Sequence, residues 1–589
     1  MKRAIRIICV QMMVSICGIA TLSADLVEYN HPNLLRIQQL YAEAGNILPT
    51  VVYPIRRDRL YSSLEQLLLH VEEKEHALLA AVERWEQQRE SLEQRVTEEL
   101  QSSEAQHPVD EEPSEVLQVL VWPAPNQDHI PAHLQNSIDT LYATRPHERF
   151  EAVQSLRIRI EDELDYWSAQ GPGDQVTLEQ TMAVQGFVNL DTGALAPKRY
   201  LAMVDPILET DFSADVPNGP GIQLSVAAER SYRSGQEISN LPIPEDQNRI
   251  LLNPNILRRA VLYLPYRNGE LLAGRFSSHI GPGQNSLSFN SALPFIDGAR
   301  SDIQAGNFGF TSLIGMIPSH ESGAGDASSE WFPEDSMYGF GRTDIYYVVH
   351  YAQLSGERIR VGFGGQNMIA AVDNSIQSSV LLPVSGWMTE SDSVNTQLIT
   401  DISLAPHPWL EIYLQGGLQR PVGGWLDIPD TGAVLAGIRF LSSTEQANTK
   451  AHVEGGWTSS DWGSFPESRA LSRFVHRFEM GSGVELMPIS SPFGPGVIWG
   501  GGAVDLELRN GFVMGFYLDI IGRQQEIDLF AGSFPASPGS RLLEAYFGAN
   551  LGLNWEEILE FQLLPGVLFQ NNELRPHIGA EIRIHGRIF

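Results

Sequence analysis

Cysteine is nearly missing from these 589 residues, and its two copies, Cys9 and Cys17, both fall within the first twenty-four. A chain cut after Ala24 holds none, which excludes disulfides, zinc–thiolate sites and thiol chemistry from everything that follows. Basic residues are scarce as well: 40 Lys and Arg stand against 72 Asp and Glu, a formal net charge of −32. So acidic a chain repels the phosphate backbone, so nucleic acid is not a partner, while cations and hydroxyl-rich ligands are tolerated. After the first two dozen residues no apolar run approaches the roughly 18 residues of a transmembrane helix candidate. A Walker loop, a dinucleotide fingerprint and a zinc–cysteine pattern are all missing, so no cofactor is expected.

What is present begins with a leader. Lys2, Arg3 and Arg6 precede an apolar run that ends in small residues at Ser23 and Ala24, the pattern of a secretory signal over residues 1–24. Its removal takes the net charge to −35, with 37 basic against 72 acidic residues. Val14-Ser15-Ile16-Cys17 has the outline of a lipidation signal, but bulky Ile16 stands where a small residue belongs. An exported chain without a spanning helix leaves the β-barrel as its way of crossing a membrane, since alternating strands escape hydropathy.

From residue 25 to 173 the apolar period is helical. Leu34, Ile37, Leu40, Tyr41 and Ala44 predict a short amphipathic helix ended by Gly45, with Pro49 beyond. A second helix starts near Asp58, with Leu64, Leu67, Val71, Leu78, Val82, Trp85, Leu92 and Val96 at three–four spacing. Its other face carries Glu72, Glu73, Lys74, Glu75, Glu83, Arg84 and Glu86, read as a solvated face. Phe150, Val153, Leu156, Ile160, Leu164 and Trp167 line a third, and Gly171-Pro172-Gly173 closes what reads as one small periplasmic helical domain.

From residue 174 to 589 the period is two. Ile359, Val361 and Phe363 oppose Arg358 and Arg360; Leu410, Ile412 and Leu414 alternate with Trp409, Glu411, Tyr413 and Gln415. Ile345, Tyr347, Val349 and Tyr351 form another apolar face. Ile582 and Ile584 alternate with Glu581, Arg583 and His585, and the strand runs to Phe589. Charge on the polar face of strand after strand suits a wet lumen and not a sandwich core, and the apolar face suits lipid. The expectation is an all-β transmembrane barrel of about 16–18 antiparallel strands with a small N-terminal α-helical domain.

One stretch, Arg275 to Phe295, organises the chain. It reads as strand, tight turn and second strand, with Arg275, Ser277 and His279 on one face. Gly281-Pro282-Gly283 supplies the turn, with Pro282 fixing φ and Gly283 expected at φ > 0. Ser286, Ser288 and Asn290 then alternate with Leu287 and Phe289. The stretch resembles the core motif of the capsule-assembly Wzi family, through Gly281-Pro282-Gly283, Ser286-Leu287, Ser291, Ala292 and Pro294-Phe295. Ile280 stands where that family carries tryptophan, and a fainter resemblance runs from His31 to Glu65. The resemblance implies an outer-membrane barrel that holds surface polysaccharide and is not an enzyme. Separately from that family, a chain stopping on Phe589 directly after an amphipathic strand resembles the terminal signal read by the barrel-assembly machinery, although Phe589 has the parity of the charged residues and not of the isoleucines.

Arg275, His279, Gln284, Asn285 and Asn290 are the candidate polysaccharide contacts, amide and cationic groups gathered around the turn. Two other readings stay open: a porin-like channel or structural barrel, and a barrel hydrolase using His279 with Ser286 or Ser288, which would need a base in hydrogen-bond reach of the nucleophile. His129 and His133 have the spacing of a helical metal pair, but Pro131 between them disfavours a helix. Glu321, Asp326, Glu330, Glu334 and Asp335 lack an EF-hand order and read as a solvated loop.

Overall fold

A computed structural model describes most of the chain between Leu26 and Arg587. Residues 1–25, 107–131, 170–176, 190–207, 233–249, 318–344, 371–393, 420–430, 464–473 and 525–540 lie outside the described residues, as do Phe589 and short gaps at turns. The leader, His129 and the acidic segment from Glu321 to Asp335 therefore fall outside them, whereas His133 is the second residue of the helix that follows Pro131.

The described chain divides into two units, Met1–Leu60 with Gln170–Phe589, and Tyr61–Ala169. Four helices are present among the described residues: α1 (Pro32–Glu43), α2 (Arg57–Gln106), α3 (Ala132–Ala143) and α4 (His147–Ala169). The helical stretch expected over 25–173 is thus split inside α2, and α1 belongs to the unit that holds the barrel. In the helical unit Leu64, Leu67, Val71, Val82, Trp85, Leu92 and Val96 of α2 are buried, as are Leu156, Ile160 and Leu164 of α4. Trp85 Nε1 donates to the Leu141 carbonyl at 2.8 Å, tying α2 to the end of α3. Part of the charged face of α2 is turned to a neighbour and not to water, since Glu75 pairs with Arg157 of α4 at 2.8 Å.

The other unit is a closed antiparallel barrel of 18 strands. In chain order they are β1 (Thr177–Asn189), β2 (Leu208–Asp215), β3 (Gly221–Tyr232), β4 (Ile250–Tyr266), β5 (Gly269–Phe276), β6 (Ile296–Ala305), β7 (Phe308–Ile317), β8 (Ile345–Ser355) and β9 (Ile359–Ala370). The wall continues through β10 (Val394–His407), β11 (Leu410–Gln419), β12 (Gly432–Ser443), β13 (Ala447–Thr458), β14 (Val497–Leu508), β15 (Phe512–Gln524), β16 (Arg541–Trp555), β17 (Leu559–Gln570) and β18 (Glu573–Arg587). Each strand pairs with its neighbour in sequence, and β18 closes the wall on β1 from His577↔Asn189 to Arg587↔Glu179. Closure leaves no open edge, which a sheet in lipid requires because bare backbone groups cannot be hydrated there. At one end of the barrel every connection has two to five residues; at the other all but the last are long, up to the thirty-eight residues 459–496.

Alternation sorts the wall into two faces. Phe363, Leu414, Ile438, Val453, Phe516, Phe547, Ile582 and Ile584 are exposed on the outside, the apolar belt a lipid-facing surface needs. Among the described residues no helix is long and apolar enough to cross a membrane. The inside is polar in places and apolar in others. Tyr347, Val349 and Tyr351 turn inward and are buried with Phe276, Ile280, Phe289 and Phe474, against the expectation that aromatic faces meet lipid. The physical reason is that chain inside the barrel gives them something dry to pack against.

Two stretches supply that chain. One is 277–295, between β5 and β6. The other is a strap, Ile47–Arg56, which follows α1. Val52 and Tyr53 of the strap pair with Ile280 and His279 as a short two-stranded sheet. Wall side chains hold the strap by its carbonyls: Arg360 Nη1 donates to Leu48 at 2.8 Å, Gln353 Nε2 to Pro49 at 2.6 Å, and Arg300 Nη1 to Tyr53 at 2.5 Å. Irregular backbone at membrane depth must find its hydrogen bonds inside the protein. These three donors provide them.

Candidate functional site

The expected strand–turn–strand is strand and turn only. β5 ends at Phe276, His279–Ile280 form the short sheet with the strap, and 284–290 are irregular. A regular strand is not needed there, because the inner wall hydrogen-bonds this backbone one group at a time. The Leu287 amide donates to Gln415 Oε1 at 2.7 Å and the Ser288 hydroxyl to Gln366 Oε1 at 3.0 Å. Gln366 continues to Gln397 at 2.5 Å, and Gln397 to Gln419 at 3.2 Å, a row of glutamines along β9, β10 and β11. Gln419 in turn accepts the Gly463 amide at 2.7 Å, so the row also binds the 459–496 connection. Leu287 and Phe289 fill the dry side, Phe289 lying 5.3 Å from the Tyr347 ring.

The turn itself is clamped from β13. Glu454 Oε2 accepts the Gln284 amide and Oε1 the Asn285 amide, both at 2.9 Å, while Tyr413 donates its hydroxyl to Oε2 at 2.8 Å. A carboxylate that takes two backbone N–H groups makes charge-assisted bonds, roughly twice as strong as neutral ones. Arg439 Nη2 donates to the Pro282 carbonyl at 2.9 Å. Its Nη1 donates to Glu411 Oε2 at 2.9 Å, and Glu411 Oε1 takes Arg360 Nη2 at 3.2 Å. Since Arg360 also holds Leu48, a chain of side chains runs from the strap to the turn: Leu48 carbonyl, Arg360, Glu411, Arg439, Pro282 carbonyl.

The positive φ lies at Gly281, at 123°, and not at Gly283 as the turn chemistry suggested. Gly283 is required for another reason. A Cβ there would stand 2.6 Å from Glu454 Oε2 and 2.8 Å from Leu435 Cδ2.

The five candidate contacts separate in the structure. Arg275 faces outward, in a two-pronged pair with Asp297 at 2.7 Å for each prong and 3.9 Å from the Phe295 ring centre. It does not share a face with His279, because the strand ends between them. His279 is buried and donates through Nε2 to the Gly281 carbonyl at 3.1 Å. Burial pushes its imidazole down to about 3, with the positive charge of Arg439 adding to the effect and the Gly281 carbonyl opposing it. Asn290 is buried. Gln284 is exposed and Asn285 half-buried, so these two present side chains beside a clamped backbone.

A hydrolytic pair is not assembled. Ser286 Oγ donates to the Ile280 carbonyl at 2.5 Å and Ser288 Oγ to Gln366, and neither serine bonds His279. Among the described residues no group of three or more His, Cys, Asp or Glu is arranged to hold a metal ion.

Sequence reasoning found the turn and missed what holds it. Glu411, Tyr413, Gln415 and Arg360 were visible as the polar parity of their strands, but alternation does not say what a lumen residue touches. Glu454, Arg439, Gln366 and Gln397 gave no local signal, since their partners are up to 170 residues away.

No protein-family model matches the chain, and no curated protein matches it in sequence. Solved structures resemble it in shape. Wzi of Escherichia coli, described as an outer-membrane, carbohydrate-binding β-barrel involved in group 1 capsule assembly, aligns at 14% identity and a TM-score of 0.46, over 73% of this chain and 88% of that one. OpdH of Pseudomonas aeruginosa aligns at 10% identity and 0.37, over 70% and 98%. The outer membrane protein OpdK of the same organism aligns at 11% and 0.36, over 70% and 99%.

Proposed function

We propose that this protein is an outer-membrane barrel, filled from within, that retains surface polysaccharide at the turn 281–285 and does not act as an open channel or an enzyme. One observation carries the reading. The stretch that resembles the polysaccharide-holding family's motif is buried in the lumen, yet it leaves Gln284 exposed and Asn285 half-exposed, with both their amides fixed on Glu454. A side chain displayed from immobilised backbone loses less entropy on binding a sugar, which is how preorganisation raises affinity. The serine hydroxyls are engaged elsewhere, which favours binding over hydrolysis. Lipid is the partner of the outer belt, and the barrel-assembly machinery is the expected reader of β18.

The decisive comparison is between cells with and without the protein. Shedding of surface polysaccharide by the deletion strain, with outer-membrane permeability to small dyes unchanged, is expected. Full retention of the glycan by that strain would overturn the reading. Gln284→Ala and Asn285→Ala should each weaken retention roughly fivefold or more, the loss of about one hydrogen bond of 1 kcal/mol, while the barrel stays heat-modifiable on gels.

A further inference from the structure

Two of the five residues expected at the turn are cationic by type, and neither serves it as a cation. Arg275 faces outward with both prongs taken by Asp297. His279 is buried and, with a value of about 3, neutral at physiological pH. What the turn displays is amide chemistry, the exposed side chain of Gln284 and the half-buried one of Asn285. We infer that the turn 281–285 selects uncharged sugar units, hexoses and N-acetylhexosamines, and discriminates against units that carry a carboxylate. The inference rests on the retention reading for the site and adds the class of its ligand.

Three features carry it. The first is that the main chain's own anion site is already full. Consecutive backbone N–H groups in a turn form a concavity that binds anions. Here the amides of Gln284 and Asn285 close on the two oxygens of Glu454, at 2.9 Å each. A sugar carboxylate therefore finds no main-chain donor at these two positions.

The second is charge. Arg439, 8% exposed, divides its guanidinium between the Pro282 carbonyl and Glu411. Arg360 and Arg300, which hold the strap, are 2% and 1% exposed and are paired with Glu411 and Asp302. Lys450, on the strand that carries Glu454, stands directly across from Asp505 of β14. Glu454 itself is held by two amides and the Tyr413 hydroxyl, none of which carries a cancelling charge. A side chain whose backbone starts 2.9 Å from that carboxylate keeps its ligand within about 10 Å of it, where salt screens repulsion only in part. The third feature is the match of donors and acceptors. A carboxamide donates and accepts, as do hydroxyl and acetamido groups, whereas a carboxylate only accepts and leaves each amide carbonyl facing another acceptor.

The test uses purified full-length protein in detergent, shown to be folded by heat-modifiability, and surface plasmon resonance on immobilised polysaccharides. The probes are pullulan, galactomannan, galactan and chitin oligosaccharides, each beside a sample oxidised at C6 from hydroxyl to carboxylate. At least one neutral probe should bind saturably, and its oxidised form about tenfold or more weakly. Raising salt from about 50 to about 500 mM should leave the neutral affinity within about twofold, because no ion pair is screened. Gln284→Arg, at an exposed position, should fold as the parent does and narrow the gap between the two forms by about fivefold or more, since it adds a charge-assisted bond to the carboxylate. Equal or tighter binding of the oxidised form overturns the inference and leaves the retention reading standing. So does an unchanged gap in Gln284→Arg when Gln284→Ala weakens the neutral probe. Binding of neither form by the parent, or a neutral probe that Gln284→Ala and Asn285→Ala both leave unaffected, overturns the two together.

Discussion

At the scale of single residues, two glycines two positions apart are needed for unrelated reasons. Gly281 adopts a φ of 123°, and a Cβ there would also stand 2.4 Å from Ser286 Oγ. Gly283 has ordinary backbone and a crowded neighbourhood. Gly281→Ala should cost about 1–3 kcal/mol for the backbone alone, and Gly283→Ala a similar 1–3 kcal/mol for overpacking. Both should lower the yield of heat-modifiable barrel, Gly281→Ala more because strain and collision add. Wild-type yields for both would show the turn to be adaptable. The sequence named the right tripeptide and the wrong glycine: turn chemistry put the positive φ at Gly283, whereas the structure has it at Gly281, where a Cβ would also meet Gln415 Nε2 at 2.7 Å, a wall residue that no local pattern points to. His279 gives a pH prediction. Its folded value of about 3 lies below the ordinary 6.5, so the unfolded chain binds a proton that the folded one refuses. Stability from this residue is complete above pH 6.5 and is lost as pH falls from there toward 3, on the order of 5 kcal/mol in all. Urea midpoints measured across that window should fall less steeply for His279→Gln than for the parent; identical slopes would remove His279 from the account.

At the scale of elements, the long periods were legible. The helices predicted at 34–44, from Asp58 and around Phe150–Trp167 all form, because a single apolar stripe suffices to specify them. The expected strand at 286–290 does not form. Its alternation of Ser and Leu or Phe is real, but polar and apolar residues alike are buried, the former on the glutamine row and the latter on Tyr347 and its neighbours. Two-sided burial imitates a strand's pattern without needing its backbone. The link between strap and turn depends on Glu411, which serves two buried guanidinium groups at once. Glu411→Gln leaves both cations short of a charge, and removing one partner of a buried pair typically costs about 3–5 kcal/mol. The variant should therefore unfold in less urea, with protease access to the strap before the barrel opens. An unchanged midpoint and an uncut strap would mean that the strap is held without this carboxylate.

At the scale of the whole molecule, alternation and charge were enough to foresee a membrane barrel of about the right size, but not one with chain packed against its inner wall. That chain comes from distant parts of the sequence, and a hydropathy pattern carries no information on which connection folds inward. In planar bilayers the wild-type protein should pass little current, and replacing 278–290 by a Gly-Ser linker should raise conductance, with cations favoured by the acidic lumen. Large steady currents from the wild type would instead support the channel reading. The seam between β1 and β18 carries one more implication, for the timing of assembly. The strap precedes every wall strand in the chain and lies inside the ring that β1 and β18 close, and export delivers all of them before that ring forms. The expected order is capture of the strap while the ring is still incomplete, in the manner of a thread around which a sleeve is sewn. A synthetic peptide covering residues 46–56, added to a strapless barrel after its seam has closed, should fail to restore the parent's stability, although the same segment present during folding succeeds.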